Sequence, residues 1–81
     1  MYTVYALYSK KYDKIYIGYT SNIEQRLLAH NELEKKGWTM KYRPWEIIYA
    51  EIQATKADAM KREKQLKTAK GREFIRTKIK I

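Results

Sequence analysis

The sequence predicts an α+β fold: a small three-stranded antiparallel β-sheet packed by helices, in the order ββαβαα. Three observations carry this. Apolar residues alternate over residues 1–8 and return, after a short polar link, as a β-branched and aromatic run at 15–19. Two later segments open on helix-capping residues and continue with helical spacing. Between those two segments lies one more apolar run, at 45–53.

In the first run Tyr2, Val4, Ala6 and Tyr8 share one face, and Thr3, Tyr5 and Leu7 share the other. The polar link at 9–14 suits an antiparallel hairpin, which brings Tyr5 and Tyr16 towards each other. Gly18, inside the second strand, marks a bulge or a close backbone approach. Ser21 followed by Glu24 has the capping-box pattern and starts a helix that runs to about residue 33. On that helix Ile23 and Leu27 form one row, and Arg26 and His30 form the neighbouring row, one turn apart. Residues 35–45 form a loop bounded by Gly37 and Pro44. Pro44 leads into the third strand at 45–53, as a proline at a strand start would. Thr55 and Asp58 cap a second helix through residue 70, with Gly71 as its stop. Phe74, Ile75, Lys78 and Ile79 make a last short amphipathic helix. With 81 residues and no repeat or linker, residues 1–81 read as one domain.

Composition narrows the chemistry. A hydrophobic share of 44% and an aromatic share of 14% belong to a folded chain. No apolar run approaches the ~20 residues that cross a bilayer, so no membrane partner is expected. Met1-Tyr2-Thr3-Val4 lacks the basic-then-apolar pattern of a signal peptide, which predicts a cytoplasmic protein. The absence of cysteine excludes disulfides, thiol catalysis and zinc–thiolate sites. With one histidine, any metal here is a hard cation held by oxygen. The net charge of +9 is uneven: residues 1–55 carry eight basic and six acidic side chains, residues 56–81 ten and three. That asymmetry points to a polyanion, most often nucleic acid, ahead of a merely solvated basic face.

Five side chains stand out for chemistry. Glu63 falls on the helical stripe of Ala59, Met60, Leu66 and Lys67 that faces the sheet. There it either pairs with Lys67 one turn on or binds a metal, because a carboxylate seldom turns inward unpaired. Arg26 presents a planar fork of donors that fits a phosphate, or is an ordinary surface arginine. His30 is the one side chain of a type that titrates near neutrality, or a structural histidine near a helix end. Tyr5 and Tyr16 are two of eight tyrosines, so either alone reads as packing; a phenol near pKa 10 needs a nearby cation to act as a base. The loop interleaves Lys35, Lys36, Lys41 and Arg43 with Trp38, Tyr42 and Trp45, as single-strand or distorted-duplex binders do; equally, its tryptophans pin it to the core. Lys67 and Arg72 extend the set of candidate nucleic-acid contacts, although Gly71-Arg72 reads better as a helix stop.

The ordered set Thr3-Val4-Tyr5, Tyr16-Ile17-Gly18, Arg26, His30 and Glu63 resembles the GIY-YIG nuclease domain over nearly the whole chain. It is most similar to short stand-alone members that look like the N-terminal domain of the excision-repair incision subunit. The resemblance implies a metal-dependent endonuclease that hydrolyses DNA phosphodiesters; the alternative is a catalytically weak or inactive nucleic-acid-binding module of the same fold. It implies one Mg²⁺ or Mn²⁺ ion held by Glu63, with a single acidic ligand arguing against a two-metal site. It further implies Tyr5 as general base, directly or through a relay, and Tyr16 as the residue that orients the water or the phosphate. Arg26 and His30 match the first-helix pair, and Gly18 the glycine whose missing side chain leaves room. DNA is the implied partner, with RNA second. Two features depart from the pattern: Thr3-Val4 replaces the glycine and isoleucine of the first triplet, and neither Asn22 nor Asn31 matches the C-terminal asparagine of many members.

Overall fold

The alternating first run becomes β1 (Tyr2–Ser9), paired antiparallel to β2 (Lys14–Thr20) across the polar turn. β3 (Glu46–Gln53) pairs antiparallel with the opposite edge of β1, so the strand order is β2-β1-β3. The computed structural model describes residues 1–33 and 37–79, and Lys35 and Lys36 lie outside the described residues. The first helix, α1 (Ile23–Leu28), continues as a π-helical turn at Ala29–Leu33. A four-residue helix, α2 (Trp38–Lys41), precedes β3; α3 (Lys56–Leu66) and α4 (Ala69–Arg76) follow it. The order is ββαβαα with α2 added inside the expected loop.

Being central, β1 is buried on both faces from Val4 to Ser9. Val4, Ala6 and Tyr8 join Ile15, Ile17, Ala59, Leu66 and Ile75 in one cluster, which seats α3 and α4. Tyr5 and Leu7 face the other way into a cluster with Trp45, flanked by Tyr16, Ile23, Leu27 and Tyr42. The period-two alternation therefore serves two cores, and each fully buried aliphatic side chain contributes ~1.5–3 kcal/mol. A second tie holds α3 to β3. Glu51 Oε1 accepts from Arg62 Nε at 2.6 Å and Gln53 Nε2 at 3.2 Å, while Oε2 accepts from the Tyr49 hydroxyl at 2.5 Å. Burial pushes the Glu51 carboxyl up, but the hydrogen bonds from Tyr49 and Arg62 outweigh it and hold the group below the usual carboxylate range.

Three boundaries differ from expectation. Asn22, not Ser21, caps α1: its Oδ1 accepts from Gln25 N at 3.1 Å, and its own N–H donates to Thr20 Oγ1. Serine and asparagine cap equally well, so the end of β2 at Thr20 decides which one does. The second predicted helix is shorter than expected, and the last one starts earlier, at Ala69. The former ends at Leu66, and Thr68 turns the chain by accepting from Gly71 N at 3.1 Å while donating to Gln65 O at 2.7 Å. Gly71 consequently lies in the first turn of α4 rather than at a stop. A Cβ there would come within 2.3 Å of Gln65 O and 2.5 Å of the Leu66 backbone.

Glycine at 71 is needed for this close packing of backbone on backbone. Gly71→Ala is expected to destabilise the protein by about 1–3 kcal/mol, lowering the melting temperature by roughly 5–20 °C. A thermal melt at the parent temperature would contradict the close approach.

Candidate functional site

The β1–β2 register sets Tyr5 opposite Gly18 and Leu7 opposite Tyr16. Tyr5 and Tyr16 thereby lie on the same side of the sheet, ring centroids 6.3 Å apart. A Cβ on residue 18 would stand 2.7 Å from the Tyr5 hydroxyl oxygen and 3.2 Å from the Tyr16 ring. The space left by Gly18 is thus filled by the Tyr5 ring end itself. A cavity of about 400 Å³ opens here, lined by Tyr5, Tyr16, Gly18, Arg26, Lys56 and Glu63 among others. Four of the five chemical candidates from the sequence meet at this one cavity.

His30 is the fifth, and it stands elsewhere. It is only 2% exposed, its Nε2 lies 3.2 Å from the Tyr5 hydroxyl, and its ring is 4.7 Å from that of Tyr16. Arg26, by contrast, is exposed. The expectation that Arg26 and His30 would meet one phosphate from a single helical face is therefore corrected. The π-helical turn and the packing against Tyr5 set His30 behind the phenol, with Arg26 in front of it.

The electrostatics follow from this layering. Burial pushes the Tyr5 hydroxyl up to about 12; Arg26 pulls it down, while Tyr16 and Glu63 push it further up. Arg26 eases the phenolate, as expected, but desolvation wins. The Tyr5 phenol is thus protonated at neutral pH. Arg26 in turn is raised by its interaction with Tyr5 and, more weakly, with Tyr16, so it stays cationic.

Glu63 makes the expected ion pair with Lys67, one turn on, its Oε1 lying 3.4 Å from Nζ, and also faces the cavity. Among the described residues there is no group of three or more His, Cys, Asp or Glu that could hold a metal. One carboxylate in a polar cavity bordered by phenol hydroxyls fits a hydrated hard cation that keeps several waters; it does not fit a metal held by protein ligands alone or a two-metal centre.

The nucleic-acid candidates separate into groups. Lys41 is exposed on α2, and Lys67 and Arg72 are exposed beside Tyr16 and Trp38. Arg43 turns inward: its Nε donates to His30 O at 2.6 Å and its Nη2 to Ala29 O at 3.4 Å, engaging carbonyls of the π-helical turn. The two tryptophans also divide. Trp45 is buried, donates from Nε1 to Thr39 O, and has both its backbone groups bonded by the Asn31 side chain. Trp38 remains 46% exposed. Sequence reasoning missed Lys56, which lines the cavity from the start of α3. The signal was present, since Lys56 and Glu63 are two helical turns apart and share a stripe.

Known proteins resemble this chain over much of its length. The family model described as the GIY-YIG catalytic domain matches residues 1–78. A UPF0213 protein of Staphylococcus haemolyticus is 38% identical over 58 residues, covering 72% of this chain and 71% of the relative. UPF0213 proteins of Staphylococcus saprophyticus and Bacillus pumilus are 39% and 41% identical over 54 residues, 67% of this chain in each case. The matched segment spans 66% of the former relative and 55% of the latter. No solved structure matches the chain.

Proposed function

This chain belongs to the GIY-YIG family, and from that premise we propose that it is a metal-dependent endonuclease hydrolysing DNA phosphodiester bonds at the Tyr5–Tyr16–Arg26–Glu63 cavity. The observation that carries the reading is the convergence of a cation, two phenols and one inward carboxylate from β1, β2, α1 and α3 on one polar cavity. In this reading Glu63 holds a single Mg²⁺ or Mn²⁺ ion, which when bound polarises the scissile phosphate and stabilises the leaving oxygen. Lys67, already beside Glu63, balances the carboxylate when the cation is away.

The chain's own groups do the rest. Arg26 faces the charge that develops on the phosphoryl oxygens, and Lys56 adds a second cation at the same cavity. Because Tyr5 is protonated, it cannot take a proton without giving one up. His30 Nε2, at 3.2 Å, is placed to receive it when the neutral imidazole carries its hydrogen on Nδ1. The proton of the attacking water passes to the Tyr5 oxygen as the phenolic proton passes to His30. Tyr16 orients the water or the phosphate. The Glu63–Lys67 ion pair taken alone favours a second reading, a nucleic-acid-binding module that does not cleave.

Arg26 separates the two readings. Arg26→Ala is expected to lower turnover by about 10²–10³-fold while changing DNA affinity far less, because the interaction strengthens in the transition state. Arg26→Lys rescues poorly, since the fork is lost. Cleavage by the lysine variant at the parent rate would reduce Arg26 to a surface charge and remove this support for catalysis.

A further inference from the structure

Tyr16 belongs to two cavities. Besides the one shared with Tyr5 and Arg26, it lines a second of about 300 Å³ with Trp38, Lys67 and Arg72. From Tyr16 a row of rings leads away from the candidate site. Trp38 stacks 6.3 Å from Tyr16 at 30°, Tyr42 lies 4.8 Å from Trp38, and Tyr12 lies 5.4 Å from Tyr42. Cations flank the row: Lys14 Nζ is 5.7 Å from the Tyr42 ring centroid and Lys11 Nζ is 5.4 Å from that of Tyr12.

Trp38 rests against Tyr16, Tyr42 and the buried Trp45, 5.7 Å away, yet keeps much of its ring in solvent, as does Tyr12. Trp38 and Tyr12 are 46% and 41% exposed, and neither belongs to the two core clusters. Interleaved exposed rings and ammonium groups suit unpaired nucleotides, whose base faces stack on any aromatic ring while their phosphates meet the cations. A continuous duplex hides those base faces and would leave the rings without partners.

We propose that the Tyr16–Trp38–Tyr42–Tyr12 row is a track for an unpaired DNA strand leading to the candidate site, so that the substrate carries a single-stranded segment. The proposal rests on the nuclease reading only in taking the Tyr5–Arg26 cavity as the end of that track. Binding measured without cleavage therefore tests it separately.

The experiment is fluorescence anisotropy in EDTA with a labelled oligo(dT) of about 12 nucleotides, against a hairpin duplex of equal nucleotide count. The parent protein is expected to bind the single strand more tightly than the duplex. Trp38→Ala should weaken single-strand binding roughly 5- to 150-fold, the range for losing one stacked base, with little change for duplex. Trp38→Phe should recover most of the loss. Tyr12→Ala, at the hairpin turn and outside both cores, should weaken it in the same direction and serves if Trp38→Ala fails to fold. Equal affinity of the parent for the two probes would overturn the track, as would unchanged single-strand binding in a folded variant. Tighter binding of oligo(rU) than of oligo(dT) would overturn the assignment to DNA. Plasmid nicking without any single-strand preference removes the track alone. Trp38-dependent binding without cleavage in Mg²⁺ removes the nuclease reading alone.

Discussion

Glu63→Gln is expected to abolish metal-dependent cleavage while leaving the fold intact. The substitution keeps the side chain's size and removes the charge that a hard cation requires. It also deletes an ion pair whose Lys67 partner is half exposed, which costs only a few tenths of a kcal/mol. Stability and activity are thus uncoupled at this residue, and a second measurement reads the coupling directly. Mg²⁺ or Mn²⁺ should raise the melting temperature of the parent but not of the variant, because only a ligand bound by the native state shifts that equilibrium. A variant that still responds to metal and still cleaves would overturn the site assignment.

Tyr5→Phe is expected to reduce cleavage by about 10²–10⁴-fold, the usual span for losing a positioned acid–base group. The ring keeps its place beside Gly18 and in the Leu7–Trp45 cluster, so the variant should fold. It removes the Tyr5–His30 hydrogen bond, a loss of about 0.5–1.5 kcal/mol, so assays belong well below the melting temperature. The pH dependence of stability gives an independent check. The Tyr5 hydroxyl titrates at about 12 in the folded protein against 10.0 ordinarily, so the unfolded chain gives up this proton first. Its contribution is fully present below about pH 10 and is lost as pH rises towards 12. In the phenylalanine variant that part of the alkaline decline should disappear. Cleavage unchanged from the parent would exclude Tyr5 from the proton path and move attention to Tyr16.

The strands and the existence of the main helices were legible because period-two and one-turn spacings are local, and the hairpin brought Tyr5 towards Tyr16; the joining of Arg26 and Glu63 to them came from the family resemblance. What stayed hidden depended on contacts distant in sequence. His30 read either as sharing a phosphate with Arg26 on helical spacing or as a structural histidine near a helix end, and the π-helical turn and the Tyr5 hydroxyl draw it into the interior. Arg43 looked like one more loop cation until the carbonyls of Ala29 and His30 took it. Gly71 looked like a helix stop because glycine commonly is one; only the approach of α4 to Leu66 reveals its use. Trp38 and Trp45 are indistinguishable as letters in an aromatic loop. The Asn31 side chain, which bonds both backbone groups of Trp45, lies 14 residues away from it in the chain.

Nicking of supercoiled plasmid by the purified chain, in Mg²⁺ and again in excess EDTA, tests the central claim most directly. Metal-dependent endonuclease activity predicts relaxed circles in Mg²⁺ and none in EDTA, with Arg26→Ala and Glu63→Gln silent under the same conditions. Plasmid left supercoiled by the folded parent protein in both Mg²⁺ and Mn²⁺, or relaxed equally with and without EDTA, would contradict it.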